Sequence, residues 1–232
     1  MASFRLRLIL FDIDGTLLLG GPRLRRWFGQ SLQTVYGLAG DIDGHSFSGK
    51  TDPQIVTELM LGAGLSEDEV FGLLPDLKAV YLGRMREELT AEDMTLLPEV
   101  VSVLSRLEEE PDVTLGLLTG NWEAGARSKL ACFDLNRFFP FGAFGDDRED
   151  RTDLPPVALE RASEQGAYPF SAEETLIVGD SPRDVTCARA HGIKVAAVAT
   201  GYTPMERLRA TGADWVLGGL DEAAEIHPMF ES

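Results

Sequence analysis

Two periodicities divide the chain. From about residue 95 onward, short apolar runs alternate with amphipathic stretches. Residues 113–119, 175–180, 194–199 and 214–217 read as strands, with a weaker one near 141–145. Between them, 98–109, 122–132, 155–165, 183–191 and 204–210 carry apolar residues at helical spacing. Apolar runs without polar alternation suit strands covered on both faces, and their alternation with helices predicts a parallel sheet sandwiched between helical layers. One more such run ends at Phe11 near the N-terminus. Between it and the rest, 23–36, 53–62, 67–74 and 76–91 carry apolar residues at helical spacing. Asp52-Pro53 reads as a helix start with Asp as cap, and Ser66 with Glu69 forms a capping box. Residues 18–22 are polar and glycine-bearing and read as a connection. The predicted fold class is therefore α/β: a Rossmann-like parallel sheet core over residues 1–19 and 94–232, interrupted by a helical insert at 20–93.

The apolar runs end in unusual company. The first stops at Asp12-Ile13-Asp14-Gly15-Thr16. Asp is depleted in strands, so two of them at a strand's C-terminal end need a reason, and in open α/β sheets that end is where ligands bind. Two carboxylates there can share a divalent cation, or one can attack an electrophile while the other moves a proton. A plain β-turn, with Gly15 supplying a positive φ, is the alternative. The second core strand ends in Thr119-Gly120-Asn121, a hydroxyl, a glycine and an amide ahead of a helix whose first N–H groups suit an anion. A simple N-cap explains those residues too. A third strand ends at Asp180, with Asp184 one helical turn further on.

LILFDIDGTLL resembles the first motif of the haloacid dehalogenase-like hydrolase superfamily. The likeness runs through nearly the whole chain and is nearest to the phosphoglycolate phosphatase-like branch with a helical cap. That resemblance implies a mostly magnesium-dependent phosphatase chemistry, with Asp12 as nucleophile and Asp14 as general acid/base. Dehalogenases of the superfamily lack the second Asp, so Asp14 points to phosphoryl transfer. By the same resemblance Thr119 holds the transferring phosphoryl oxygen, with N–H donors from Gly120 and Asn121. GDSPRD matches the fourth motif, so Asp180 is expected to ligate Mg²⁺ with Asp12 and the carbonyl of Asp14. Asp184 is expected to hold a metal-bound water or a neighbouring cation. The third motif departs. Many relatives carry Lys-Pro-x-Pro, whereas aligning Pro156 here puts Asp153 at the lysine position. Arg151 is the best substitute and Arg148 the next, since a guanidinium can pair with both phosphate and carboxylate. The superfamily places its cap over residues 20–93 and lets a cap loop select the substrate, which makes Lys50, one of four lysines, the first specificity candidate.

Composition narrows the partners. A net charge of −17 argues against nonspecific nucleic-acid or anionic-membrane binding and requires local cations for any phosphate ester. No stretch is long and apolar enough to span a membrane, and the short run before Asp12 is no signal peptide. The two cysteines, Cys132 and Cys187, show no metal or redox spacing and read as packing residues of a cytoplasmic protein. Gly44 to Thr51 satisfies the P-loop pattern, but no buried strand precedes it, so that reading is rejected. Arg23, Arg25 and Arg26 are expected to face solvent. The expected ligand is a small phosphorylated metabolite, and the chain is expected to be a monomer or a homodimer. The rival readings are a sugar-phosphate mutase sharing both aspartates, and a non-catalytic phospholigand-binding protein.

Overall fold

The computed structural model describes residues 6–166 and 169–224. The apolar runs form one six-stranded parallel sheet. In spatial order its strands are β5 (Gly142–Ala143), β4 (Thr114–Leu118), β1 (Leu8–Phe11), β6 (Thr175–Gly179), β7 (Lys194–Val198) and β8 (Trp215–Leu217). The first strand is central, and the chain crosses from one side of it to the other between β5 and β6. Such a switch opens a crevice at the carboxyl ends of the strands. The sheet has apolar residues on both faces, as parallel strands require. Ile9, Phe11, Leu117, Leu176 and Val178 join one core, while Leu8, Leu10, Leu118 and Ile177 join the other.

The helices follow in chain order: α1 (Pro22–Tyr36), α2 (Asp52–Gly62), α3 (Glu67–Glu88), α4 (Val100–Glu108), α5 (Glu123–Ala131), α6 (Leu154–Gln165), α7 (Pro182–Ala190), α8 (Met205–Arg209) and α9 (Leu220–Ala224). No described helix is long and apolar enough to cross a membrane. The helices α1 to α3 belong to the insert, which leaves and re-enters through a pair of short antiparallel strands, β2 (Leu18–Gly20) and β3 (Met94–Leu96). Sequence pattern misses this pair, because three residues are too few to show alternation and the partner lies far along the chain.

Two other local expectations are corrected. The segments read as separate helices on either side of Pro75 are one continuous helix, α3. An interior proline costs about 3 kcal/mol, but Val70, Leu77, Tyr81 and Met85 form a single buried face spanning it, and packing outweighs the break. At the start of α2 the cap is Thr51, whose Oγ1 accepts from Gln54 N–H at 3.1 Å. Asp52 is the first helical residue instead, and its carboxylate turns to the core. The capping box of Ser66 and Glu69 forms as the sequence indicates. Both cysteines are free thiols, Cys187 buried.

Candidate active site

Register brings the candidate residues together. Phe11 is paired with Leu117 on one side and Val178 on the other. Asp12 is thus one residue beyond the paired level, and Thr119 and Asp180 are two beyond it on the flanking strands. The backbone N–H of Asp12 still donates to Val178 O at 2.9 Å. The chain must then turn sharply. Gly15 does so at φ 92°, where a Cβ would run into the Asp180 carboxyl, so only glycine fits.

Asp12, Asp180 and Asp184 are all buried and offer carboxylate oxygens within 4.8 Å of one another. Arg151, itself buried, faces them: its Nη2 lies 3.2 Å from Asp12 Oδ1 and 2.6 Å from Asp184 Oδ1, and it donates to Leu118 O at 3.0 Å. Asp184 Oδ2 accepts from the Ser181 N–H at 3.0 Å and hydroxyl at 2.7 Å. Both oxygens of Asp184 are therefore engaged, and its place is that of an anchor for Arg151. Arg148 lies outside, its Nη1 donating to the Asp147 carbonyl at 2.6 Å.

One guanidinium does not balance three carboxylates. Burial pushes the Asp12 carboxyl up to about 6, against Arg151 and with Asp184 and Asp14 reinforcing the rise. Burial, with Asp184 and Asp12 beside it, pushes Asp180 up to about 8. The buried Nε of Arg151 has no hydrogen-bond partner among the described residues. An all-oxygen set with surplus negative charge beside an unspent cationic donor fits a hard divalent cation and a phosphoryl oxygen.

The second aspartate of the loop faces elsewhere. Asp14 Oδ1 and Oδ2 lie 2.8 and 2.6 Å from Lys129 Nζ, and Asn121 Nδ2 donates to Oδ2 at 2.7 Å. The same Asn121 amide donates to Thr119 Oγ1 at 2.8 Å, and its Oδ1 accepts from Lys129 at 2.7 Å. Asn121 thus ties Thr119 to Asp14.

Above these groups lies a cavity of about 500 Å³. Its floor includes Asp12, Asp14, Thr119, Lys129, Arg151 and Asp180, and the insert supplies Phe28, Phe47, Ile55 and Tyr81. Lys50 is on its wall, but its ammonium is taken by Glu58 and by His45 Nε2 at 3.0 Å. Arg25, expected in solvent, also lines the cavity: the carbonyls of Ile42, Asp43 and His45 draw it inward and its guanidinium lies 4.3 Å from the Phe47 ring centroid. The insert is fastened to the core at the start of α2. Asp52 N–H donates to Gly120 O at 2.7 Å, and Asp52 Oδ2 accepts from Trp122 N–H at 2.8 Å. Burial pushes the Asp52 carboxyl up to about 7, against the pull of Lys129.

Residues 9–198 match the family model of the haloacid dehalogenase-like hydrolases. The chain belongs to this family. The hydrolase is 27% identical over 234 residues to the phosphoglycolate phosphatase of Vibrio parahaemolyticus, covering 97% of this chain and 98% of that one. It is 26% identical over 251 residues to that of Pseudomonas fluorescens, covering 95% and 82% respectively. Among solved structures, CbbY from Rhodobacter sphaeroides in complex with phosphate shares the fold at a TM-score of 0.70, with 17% identity and coverage of 95% and 96%.

The residue of the hydrolase that sequence reasoning missed is Lys129. A lysine in an amphipathic helix normally marks the solvent face. One signal was available: it follows Gly125 and Ala126 by four and three residues, on the inward stripe of α5 that also holds Leu130.

Proposed function

We propose that this hydrolase is a Mg²⁺-dependent phosphatase of small phosphorylated metabolites, acting through an aspartyl-phosphate on Asp12. The observation that carries the reading is the division of labour within one loop. Asp12 is enclosed by Asp180, Asp184 and Arg151, where a charged phosphoryl group needs its counter-charges, while Asp14 faces the cavity that would hold the rest of the substrate. The phosphatases matched over 82% and 98% of their own lengths support it.

In the first step an Asp12 oxygen forms a bond to phosphorus as the bond to the ester oxygen breaks, and Asp14 gives that oxygen its proton. Water then attacks phosphorus while Asp14 takes its proton, and phosphate leaves with Asp12 restored. Thr119, the N–H groups of Gly120 and Asn121, and Arg151 hold the phosphoryl oxygens. Stabilising that spread charge is the larger part of such catalysis. Asp12, Asp180 and the Asp14 carbonyl would hold Mg²⁺, which supplies further neutralisation of phosphoryl charge. Asp184 serves by holding Arg151, the cation that stands for the family's third-motif lysine. Lys50 would reach a distal substrate group only by exchanging Glu58 for it.

A mutase, returning the phosphoryl group to substrate, is not favoured, because the matched curated relatives are named as phosphatases. The test is phosphate release from a panel of phosphorylated metabolites, with Mg²⁺ and with EDTA. Magnesium-dependent release that vanishes in folded Asp12→Asn is the expected result. Residual activity equal to wild type would refute the nucleophile, and no release from folded, magnesium-loaded protein would refute the phosphatase.

A further inference from the structure

We propose that Lys129 is the positioning residue for proton transfer, fixing the Asp14 carboxyl at the point from which it serves the leaving oxygen. The inference rests on the reading of Asp14 as the acid/base group. An ammonium has three N–H donors. Lys129 directs them to Asp14 Oδ1, Asp14 Oδ2 and Asn121 Oδ1, at 2.8, 2.6 and 2.7 Å. None is left for a phosphoryl oxygen, so the residue acts through Asp14 and not on the substrate.

Exposure points the same way. The Lys129 side chain is 7% exposed and that of Asp14 39%, so the ammonium stands behind the carboxylate and the carboxylate faces the cavity. Asn121 completes the clamp. Its two Nδ2 hydrogens go to Asp14 Oδ2 and Thr119 Oγ1, which fixes its Oδ1 on Lys129 and ties the acid/base carboxyl to the phosphoryl-binding hydroxyl. The lysine is delivered by α5, a regular helix packed under Leu82 and Met85 of α3, so the clamp is set by a rigid element. A carboxylate on a loop without such a clamp would sample several rotamers, while an acid catalyst must stay within about 2.6–3.2 Å of the atom it serves.

The test uses the dependence on the leaving group. Replacing Lys129 by Met keeps length and burial, and the half-exposed Asp14 stays hydrated; Asp52 loses the pull of Lys129 but keeps the Trp122 N–H, and thermal unfolding checks the fold. The p-nitrophenolate group of p-nitrophenyl phosphate departs without a proton, whereas an alkoxide does not. Lys129→Met is expected to lose about 100-fold or more in kcat/KM on the fastest alkyl phosphate of the panel and less than about 5-fold on p-nitrophenyl phosphate, within the range worth assigning to a general acid; kcat/KM is the readout because it ends at departure of the leaving group, whereas hydrolysis of the aspartyl-phosphate calls on Asp14 for both esters. Lys129→Arg should recover most of the loss, and Asp14→Asn/Lys129→Met should be no slower than Asp14→Asn. Equal losses in kcat/KM on both esters, losses that add to those of Asp14→Asn, or no loss at all would overturn the role of Lys129. If Asp14→Asn itself shows no leaving-group dependence, the acid/base reading falls and the positioning role falls with it.

Discussion

Arg151 is the residue on which the charge balance of the site turns. It is buried against two buried carboxylates, and removing one partner of such a set leaves the other uncompensated at a cost of about 3–5 kcal/mol. Arg151→Met should therefore lower the unfolding free energy of the metal-free protein by that order, read from urea titration. Arg151→Lys should lower it less. The carboxylates also give the metal-free protein a pH dependence. Asp12 at about 6 and Asp180 at about 8 stand above the usual carboxylate value near 4, so between these limits the folded state holds more protons than the unfolded one. Stability must then fall as pH rises from about 5 to 8. The midpoint of thermal unfolding in EDTA should be lower at pH 8 than at pH 5.5, and excess Mg²⁺ should flatten the difference; a midpoint that rises with pH would contradict it. At this scale Asp12, Asp14, Thr119 and Asp180 were legible, because each sits where an apolar strand stops. Arg151 was legible only as one of two candidate cations, and Lys129 was not.

Among elements, the decisive contact is between the start of α2 and the loop after β4. A Cβ on Gly120 would meet the backbone carbonyl of Lys50, and neither backbone can yield cheaply. Gly120→Ala should push the insert loop off the core, destabilising by about 1–3 kcal/mol as overpacking does, and should raise KM because Ser46 to Lys50 line the cavity. An unchanged KM would show that this loop does not shape substrate binding. The helix start itself was readable to within one residue. Which side chain capped it was not, since Thr51 and Asp52 both have capping chemistry, and only the nearby Trp122 N–H decided where Asp52 would point.

Across the whole molecule, the insert and the sheet share one apolar core, and an aromatic cluster joins them beside the cavity. Phe28 and Tyr81 of the insert meet Trp122 of the core with ring centroids 6.3 and 6.2 Å away, and each other at 5.0 Å. Phe28→Ala should cost about 3–5 kcal/mol. If the cluster also holds the insert over the site, this variant should raise KM at temperatures where it is still folded; a stability loss with KM unchanged would confine Phe28 to packing.

The sequence by itself determined the parallel sheet, the helical insert and the row of carboxylates at the strand ends. Those are local properties: an unbroken apolar run, a period of 3.6 and an acid after an apolar run are written within a dozen residues. Only the tertiary structure decided which cation answers which acid. Arg151 reaches Asp184 across 33 positions and Lys129 reaches Asp14 across 115. Pairings of that span depend on sheet order and helix placement, and no local pattern encodes them.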